Sequence, residues 1–264
     1  MKIFTINLSI STGLFIIHKQ LISLKTKEEI SIMAESGKRL RRVVTELRTL
    51  IKPGITTNFI DKTAENLIIK YGGKPSFKEV DGYKWTTCLP INEQIVHTPP
   101  SNRILLNGDL LTLDIGFYYK NYHTDFATSF IIGNKKDKKV INFLNAGKKA
   151  LDRAIKQAKI GNYIGNISET IQKTVESAGY NVSNTLVGHG IGRTLHEDPM
   201  VPGILDSSIY NTPKIERGLV IAIEVIYMMG KREVELEKGK NWSIKTKDNS
   251  LSACFEHTVA ITDK

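Results

Sequence analysis

Four acidic residues within apolar, strand-like segments constrain the fold of this chain more than any other feature of its sequence. Asp114 lies in the segment LTLDIG, Asp125 in HTDFA, Glu224 in IAIEVI and Glu256 in ACFEHT. Removing a carboxylate from water costs several kcal/mol unless a cation or hydrogen bonds compensate. A salt bridge or an outward-facing position would explain any one of these acids alone. Four together favour a site for divalent metal ions, which bind clustered oxygen ligands and remove the repulsion between them.

The spacing of the first two acids predicts a hairpin. Side chains of a continuous strand alternate between its faces, so residues eleven positions apart would point in opposite directions. Asp114 and Asp125 can therefore converge only if a turn separates them, and residues 117–121 (FYYKN) can supply it. His189 is the expected additional ligand, because the glycines around it in the segment GHGIG let the backbone approach a crowded site.

Helical periodicity occurs in two pairs of segments, and strand-like segments follow each pair. A capping box formed by Thr26 and Glu29 begins the first helix. The predicted helices cover about 26–51, 57–71, 138–158 and 164–178. The predicted strands cover 85–91, 109–117, 122–132, 219–227 and 252–261. This order predicts an α/β (α+β) fold rather than strict alternation of strands and helices.

Two of the predicted strands resemble each other, which indicates an internal duplication. Residues 108–115 (GDLLTLDI) align with residues 217–225 (RGLVIAIEV), and each segment places one acid near the end of an apolar run. We therefore expect two pseudo-symmetric halves, residues 25–135 and 136–264, each with two helices followed by two strands. Together they are expected to form a single catalytic domain over residues 21–264.

Composition and charge narrow the classes of function. The chain has 264 residues, 41% of them hydrophobic, which is enough for a sizeable core and excludes a fibrous or disordered chain. Cys88 and Cys254 are its two cysteines, so a disulfide scaffold is excluded and a reducing, cytoplasmic location is expected. The net charge of +10 is spread along the chain, which favours compositional bias over a nucleic-acid surface, and no specific DNA binding is expected.

Residues 1–20 are interpreted as an N-terminal arm outside the core. The stretch is partly apolar, but polar residues interrupt it and no small-x-small cleavage site follows before His18, so a secretory signal is not favoured. It is also too short and too polar to span a bilayer, and we expect no membrane partner.

Several motifs taken together resemble those of type I methionine aminopeptidase. They are the segment INE before His97, the spacing of Asp114 and Asp125, and the segments GHGIG, LHEDP, KDNSLS and EHT. The resemblance extends from about residue 21 to the end of the chain. It implies the pita-bread fold, in which two related α/β halves enclose two divalent metal ions. Cobalt, manganese, iron and zinc all remain open as the metal, because carboxylate-rich sites accept several of these ions.

The same resemblance implies a complete set of metal ligands. These ligands are Asp114, Asp125, His189, Glu224 and Glu256. In the family, the acids that match Asp125 and Glu256 bridge both ions. His123 and His257 lie close to these residues in the sequence, but we expect them to be structural histidines.

The resemblance further implies that a metal-bridging hydroxide attacks the first peptide bond of nascent chains and releases the initiator methionine. Glu224 would carry a proton from the attacking water toward the departing amine. His196 would hydrogen-bond the carbonyl or the developing oxyanion, and His97 would orient the amide that follows the cleaved residue.

The family also places wall residues of an apolar methionine pocket at three positions, which here are Tyr83, Cys88 and Trp242. Leu195 stands where phenylalanine is usual, and Ile226 stands where methionine is common. We therefore expect a pocket of altered shape but an unaltered reaction.

Two alternatives remain open. An Xaa-Pro peptidase has the same fold but usually carries an additional N-terminal domain, for which the arm before Thr26 is too short. A non-catalytic protein of this fold could bind peptides, ribosomes or RNA through its basic surface, but such proteins generally lose metal ligands, and this chain retains all five. No coiled-coil heptad is evident, so a monomer that acts on peptide substrates is expected, and a transient ribosome contact stays open.

Overall fold

The computed structural model describes residues 22–135 and 137–263, so the arm expected at residues 1–20 lies outside the described residues. Within those two ranges the α-helices are α1 (Lys27–Leu50), α2 (Thr57–Lys70), α3 (Lys138–Ile155) and α4 (Ile164–Glu176). All lie at predicted positions. The capping box that begins α1 is also confirmed, because Thr26 and Glu29 exchange hydrogen bonds between side chain and backbone.

Most of the strands belong to one large antiparallel sheet. In chain order, the strands of the described ranges are β1 (Lys74–Pro75), β2 (Thr87–Cys88), β3 (Gln94–Val96), β4 (Leu110–Tyr119), β5 (Tyr122–Ile131), β6 (Asn181–Val182), β7 (Val187–Gly190), β8 (Glu197–Pro202), β9 (Val220–Met228), β10 (Val234–Leu236), β11 (Ile244–Thr246) and β12 (Ser252–Ala260). The large sheet has the order β1-β4-β5-β12-β9-β7-β8, with β2 beside β4 and β6 beside β9. The strands β10, β11 and β3 form a second, smaller sheet.

The four long strands confirm the sequence prediction, whereas the predicted strand 85–91 is wrong in extent. Only Thr87–Cys88 is a strand there, paired with β4. The following Pro90 has no N–H group to donate to a neighbouring strand, which favours an end to regular pairing.

A tight turn between β4 and β5 confirms the predicted hairpin. The turn residues Lys120 and Asn121 have φ angles of 48° and 67°, the left-handed conformation that a two-residue hairpin turn requires. In the resulting register, Asp114 is opposite Ala127 and Asp125 is opposite Gly116. The two acids therefore lie diagonally across adjacent strands on the same face, as their spacing suggests.

Alternation along the strands places all four helices on one face of the large sheet. Helices α1 and α2 pack on β4 and β5 through a buried core that includes Leu47 and Phe117. Helices α3 and α4 complete the same layer against β9 and β12 through a core that includes Phe143 and Val225.

The opposite face of the large sheet carries the acids. Because side chains alternate, Asp114, Glu224 and Glu256 point away from the helices that their neighbours contact. The smaller sheet covers part of this face, where Ile95 and Val96 of β3 belong to an apolar cluster with Ile226, Met228 and Cys254. Among the described residues, no helix has the length and hydropathy needed to cross a membrane.

Candidate metal centre

Three of the four acids stand in one row across the large sheet. Asp114 of β4 is opposite Ala127 of β5, Ala127 is opposite Glu256 of β12, and Glu256 is opposite Glu224 of β9. The small side chain of Ala127 leaves space between Asp114 and Glu256. Asp125 lies two residues from Ala127 along β5, on the same face. Four strands thus bring four acids to one place.

His189 joins this row through β7, where it is opposite Ala222, two residues from Glu224 on β9. The glycines on either side of His189 permit a close approach of backbones. A Cβ atom on Gly188 would lie 2.4 Å from the carbonyl oxygen of Ala222, and one on Gly190 would lie 2.2 Å from that of Asp198. Any other residue at either position would push the imidazole out of the row.

The distances show that the five residues expected as ligands share one site. Single ligand atoms of Asp125, His189 and Glu256 all lie within 4.8 Å of one another. Glu224 Oε1 is 3.5 Å from His189 Nε2. Asp114 is close enough for the charges of Asp125 and Glu224 to raise its pKa, beyond the rise that burial causes.

The carboxylates of this cluster are buried close together, so a bound cation would stabilise their ionised forms. Burial raises the pKa of Glu256, and the negative charges of Asp125, Glu224 and Asp114 raise it further. Burial also raises the pKa of Asp125 to about 7, although the N–H group of Phe126 donates to its Oδ1 atom and opposes the rise. Such mutual repulsion in a buried site is costly. Divalent cations would remove it.

One oxygen of the cluster also lacks a protein partner. Oε1 of Glu256 is buried and accepts no hydrogen bond from the described residues. Buried polar atoms of native proteins nearly always have a partner, so an orphaned carboxylate oxygen indicates a ligand that is not protein. Carboxylate oxygens with one imidazole suit first-row divalent metals. The residues present therefore fit a metal centre.

The tautomer of His189 leaves the correct nitrogen free for a metal. Its Nδ1 atom lies 2.8 Å from the carbonyl oxygen of Gly190. A carbonyl can only accept, so Nδ1 carries the proton and the lone pair of Nε2 faces Glu224. Burial, together with the nearby His196 and His97, lowers the pKa of His189 to about 3. The imidazole is therefore neutral and able to coordinate at physiological pH.

His97 and His196 lie at the mouth of this site. Both side chains are exposed, and the ring of His196 is 4.5 Å from that of His189. His97 follows β3 and has a φ angle of 56°, so the chain turns sharply where the imidazole is presented. A cavity of about 330 Å³ opens beside His196 and is lined by Glu79, Val80, Tyr118, His123, Arg193, Thr194, Leu195 and His196.

Tyr83, Cys88 and Trp242 also lie together, next to the acids. The ring of Tyr83 packs edge-on against Trp242 at 5.2 Å, and its hydroxyl is 3.1 Å from the sulfur of Cys88. Cys88 is opposite Asp114 in the sheet. The structure thus places an aromatic wall beside one end of the row of acids.

Sequence reasoning missed two sets of contacts around the site. Lys25 forms a buried ion pair with Glu197, beside His196. The hydroxyl of Thr258 holds the backbone of Asp125. Neither contact has a local sequence signal, because both join residues that are far apart in the chain. His123 is buried, and its ring nitrogen Nδ1 lies 2.7 Å from the hydroxyl of Ser76, so the side chain has a partner within the protein.

Comparison with known proteins places this geometry in a family. A family model described as metallopeptidase family M24 matches residues 31–263. Methionine aminopeptidase 1 of Bacillus subtilis is 38% identical over 245 residues, which cover 92% of this chain and 96% of the relative. The methionine aminopeptidase of Mycoplasma capricolum is 36% identical over 244 residues, which cover 92% of this chain and 95% of the relative.

Solved structures agree with the sequence relatives. The crystal structure of the Thermotoga maritima methionine aminopeptidase superposes with a TM-score of 0.88 at 35% identity, covering 92% of this chain and 97% of that chain. The prolidase from Pyrococcus furiosus superposes with a TM-score of 0.71 at 22% identity, covering 91% of this chain and 63% of that chain, a likeness of fold alone. The expected pita-bread fold is confirmed, and this chain is a member of metallopeptidase family M24 that belongs with its methionine aminopeptidases.

Proposed function

We propose that this protein is a metal-dependent aminopeptidase that removes the initiator methionine from nascent polypeptides. The observation that carries the proposal is the row of acids completed by a neutral imidazole, beside an aromatic wall and two exposed histidines. Two divalent metal ions would be held by the carboxylates and the imidazole of Asp114, Asp125, His189, Glu224 and Glu256. When bound, such ions supply Lewis acidity that makes water nucleophilic near neutral pH and polarises a carbonyl.

Three residues have the positions needed to handle protons and charge in this reaction. The side chain of Glu224 is largely buried, and burial raises its pKa, so it can accept a proton from the attacking water and deliver it to the departing amine. His196 hydrogen-bonds the oxygen on which negative charge develops. His97 orients the amide that follows the cleaved residue.

The remaining residues select the substrate. The wall of Tyr83, Cys88 and Trp242 suits a flexible, polarisable thioether side chain, and small ligand sites are commonly apolar with a few polar groups. The negative potential of the acids attracts the positively charged amino terminus of a peptide. An internal peptide bond has no such charge, which explains cleavage at the first residue only.

Release of free methionine from a short peptide tests this function. The purified protein is stripped with a chelator, then given Mn²⁺, Fe²⁺, Co²⁺ or Zn²⁺ in separate reactions with Met-Ala-Ser. We expect methionine to appear with at least one metal, and none from N-acetylated Met-Ala-Ser, which lacks the charged amine. Absence of release with all four metals would contradict the proposal. Cleavage of Ala-Pro peptides instead would favour the Xaa-Pro peptidase.

We further infer that residues 21–264 act as one catalytic domain, as a monomer in the cytoplasm. Two free, buried cysteines, Cys88 and Cys254, are in keeping with a reducing compartment. Sedimentation of the purified protein tests the monomer, and a transient ribosome contact is tested by co-sedimentation with ribosomes.

A further inference from the structure

Strands β5 and β12 carry Asp125 and Glu256, yet the two strands are joined by a very short ladder. Only two pairs connect them, Ala127 with Glu256 and Phe126 with His257. On its other side, β5 pairs with β4 along its full length from Tyr122 to Ile131. The two buried acids therefore lie on either side of a junction with far fewer backbone pairs than those between β4 and β5 or between β9 and β12.

Side-chain hydroxyl groups replace the backbone at both ends of this junction. If the register continued, Thr258 would be opposite Asp125, and Cys254 would be opposite Ser129. Instead, Thr258 Oγ1 accepts from the N–H group of Asp125 at 2.8 Å and donates to its carbonyl oxygen at 3.0 Å. Ser129 Oγ accepts from the N–H group of Cys254 at 3.0 Å and donates to its carbonyl oxygen at 2.9 Å.

The contact of Thr258 bears directly on the metal ligands. It holds both backbone polar groups of Asp125 against the strand on which Glu256 lies only two residues away. The carboxylate of Asp125 is in turn tied to the main chain, because its Oδ1 atom accepts from the N–H group of Phe126 at 2.8 Å. A shift of this backbone therefore moves the carboxylate.

We propose that Thr258 is a positioning residue for the metal centre, whose hydroxyl sets the spacing of the carboxylates of Asp125 and Glu256. The proposal rests on the proposed function, since it requires that these acids hold metal. The hydroxyl stands between the two backbones, so the strands stay joined without closing to the separation of a regular ladder. Loss of the hydroxyl leaves two buried backbone groups of Asp125 unpaired and frees the junction to shift.

This role is tested by measuring the affinity of the chelator-stripped protein for Mn²⁺ with titration calorimetry. Partners that orient metal ligands typically contribute about 10- to 100-fold to affinity. Thr258→Val and Thr258→Ala should therefore weaken Mn²⁺ binding by at least about tenfold. Thr258→Ser keeps the hydroxyl and should restore the affinity of the original protein.

Thr57→Val is a matched control. Thr57 Oγ1 donates to the carbonyl oxygen of Ser101 at 2.9 Å and accepts from its N–H group at 2.8 Å, the same pair of bonds at the start of α2. This variant loses an equivalent contact, so it should unfold at lower temperature but bind Mn²⁺ as the original protein does. If Thr57→Val and Thr258→Val weaken Mn²⁺ binding equally, the effect is one of general destabilisation, and the proposal is overturned.

A spectroscopic readout separates positioning from stability. The visible spectrum of the Co²⁺-loaded protein reports ligand geometry, and it should change in Thr258→Ala but not in Thr258→Ser or Thr57→Val. Unchanged Mn²⁺ affinity and an unchanged Co²⁺ spectrum in Thr258→Ala would overturn the positioning role alone. Failure of the original protein to bind either metal would instead overturn the proposed function, and this inference with it.

Discussion

The ammonium group of Lys25 lies 2.5 Å from the carboxylate of Glu197, and the two side chains are only 3% and 13% exposed. Lys25 also donates to the carbonyl oxygen of Ser23, and Glu197 accepts from the N–H group of Thr194. Because Glu197 directly follows His196, the pair ties the segment before α1 to the loop that carries this histidine. A buried ion pair of this kind is most sensitive to the loss of one partner.

Lys25→Met should destabilise the metal-free protein by about 3 to 5 kcal/mol, because it leaves the carboxylate of Glu197 buried without its cation. Replacing both partners by methionine should recover part of this loss, since no unpaired charge then remains. Urea unfolding followed by circular dichroism measures both effects. Lys173→Met is the control, because Lys173 is 71% exposed and its pair with Glu169 should contribute less than about 1 kcal/mol. Equal losses in the two single variants would contradict this prediction.

The acids make the stability of the metal-free protein depend on pH. Burial raises the pKa of Asp125 to about 7 and raises that of Glu256 as well, so the folded state binds more protons than the unfolded state. Their contribution is fully present below the unfolded pKa values and is lost as the pH rises through the folded values. His189 acts in the opposite sense, because burial lowers its pKa to about 3, but its contribution is complete above about pH 7.

The free energy of unfolding of the metal-free protein should therefore fall between about pH 6.5 and pH 7.5, as the pH rises through the folded pKa of Asp125. Saturating Mn²⁺ should remove this fall, because metal binding requires ionised carboxylates and strengthens as they lose their protons. Urea titrations at several pH values, with a chelator or with Mn²⁺, measure the two slopes. A chelated protein whose stability rises over this range would show that the acids do not repel one another in the folded state.

Glu256→Gln should separate stability from activity. The amide removes one negative charge from the cluster, so the metal-free variant should be more stable at pH 8 by about 1 kcal/mol or more. Loss of a ligand should reduce methionine release to less than about one-hundredth. Glu235→Gln is the control, since Glu235 lies 42% exposed on the small sheet and should change neither quantity. A Glu256→Gln enzyme with normal activity would exclude Glu256 from the metal centre.

His196→Ala should lower kcat by about 100- to 1,000-fold while Mn²⁺ affinity stays unchanged, because the imidazole faces the substrate rather than the metal. Steady-state kinetics on Met-Ala-Ser and calorimetry measure the two effects. His257→Ala serves as the control: His257 adjoins Glu256, but its ring packs 5.3 Å from Phe126, on the helix side of the sheet. If kcat is unchanged in His196→Ala, then His196 takes no part in the catalytic step.

Trp242→Ala should act mainly on substrate binding. The indole packs at 5.2 Å against Tyr83, and its loss opens the apolar wall beside Asp114. We expect KM for Met-Ala-Ser to rise by about tenfold or more, because a large buried contact with the side chain is lost, with a smaller effect on kcat. Phe59→Ala is the control, since Phe59 is half exposed on α2, away from the site. A normal KM in Trp242→Ala would place the methionine side chain elsewhere.

Local patterns were sufficient to predict the helices and the hairpin. Each of these depends on periodicity, capping or turn chemistry within a short segment, as in the Thr26 capping box and the turn at Lys120. The candidate ligands were predicted from acids within apolar segments and from the family resemblance. The motifs around Asp114 and His189 carried the resemblance to a family for the same reason. They are contiguous in the chain and can be recognised without a structure.

The order of the acids within the row, and the groups that hold them there, depended on the tertiary structure. Glu224 faces Glu256 only because β9 pairs with β12, and Thr258 reaches Asp125 from a strand 133 residues further along the chain. Lys25 and Glu197 are 172 residues apart, and neither has a local signal for the other. Such contacts arise from long-range strand pairing and packing, which no short segment of sequence encodes.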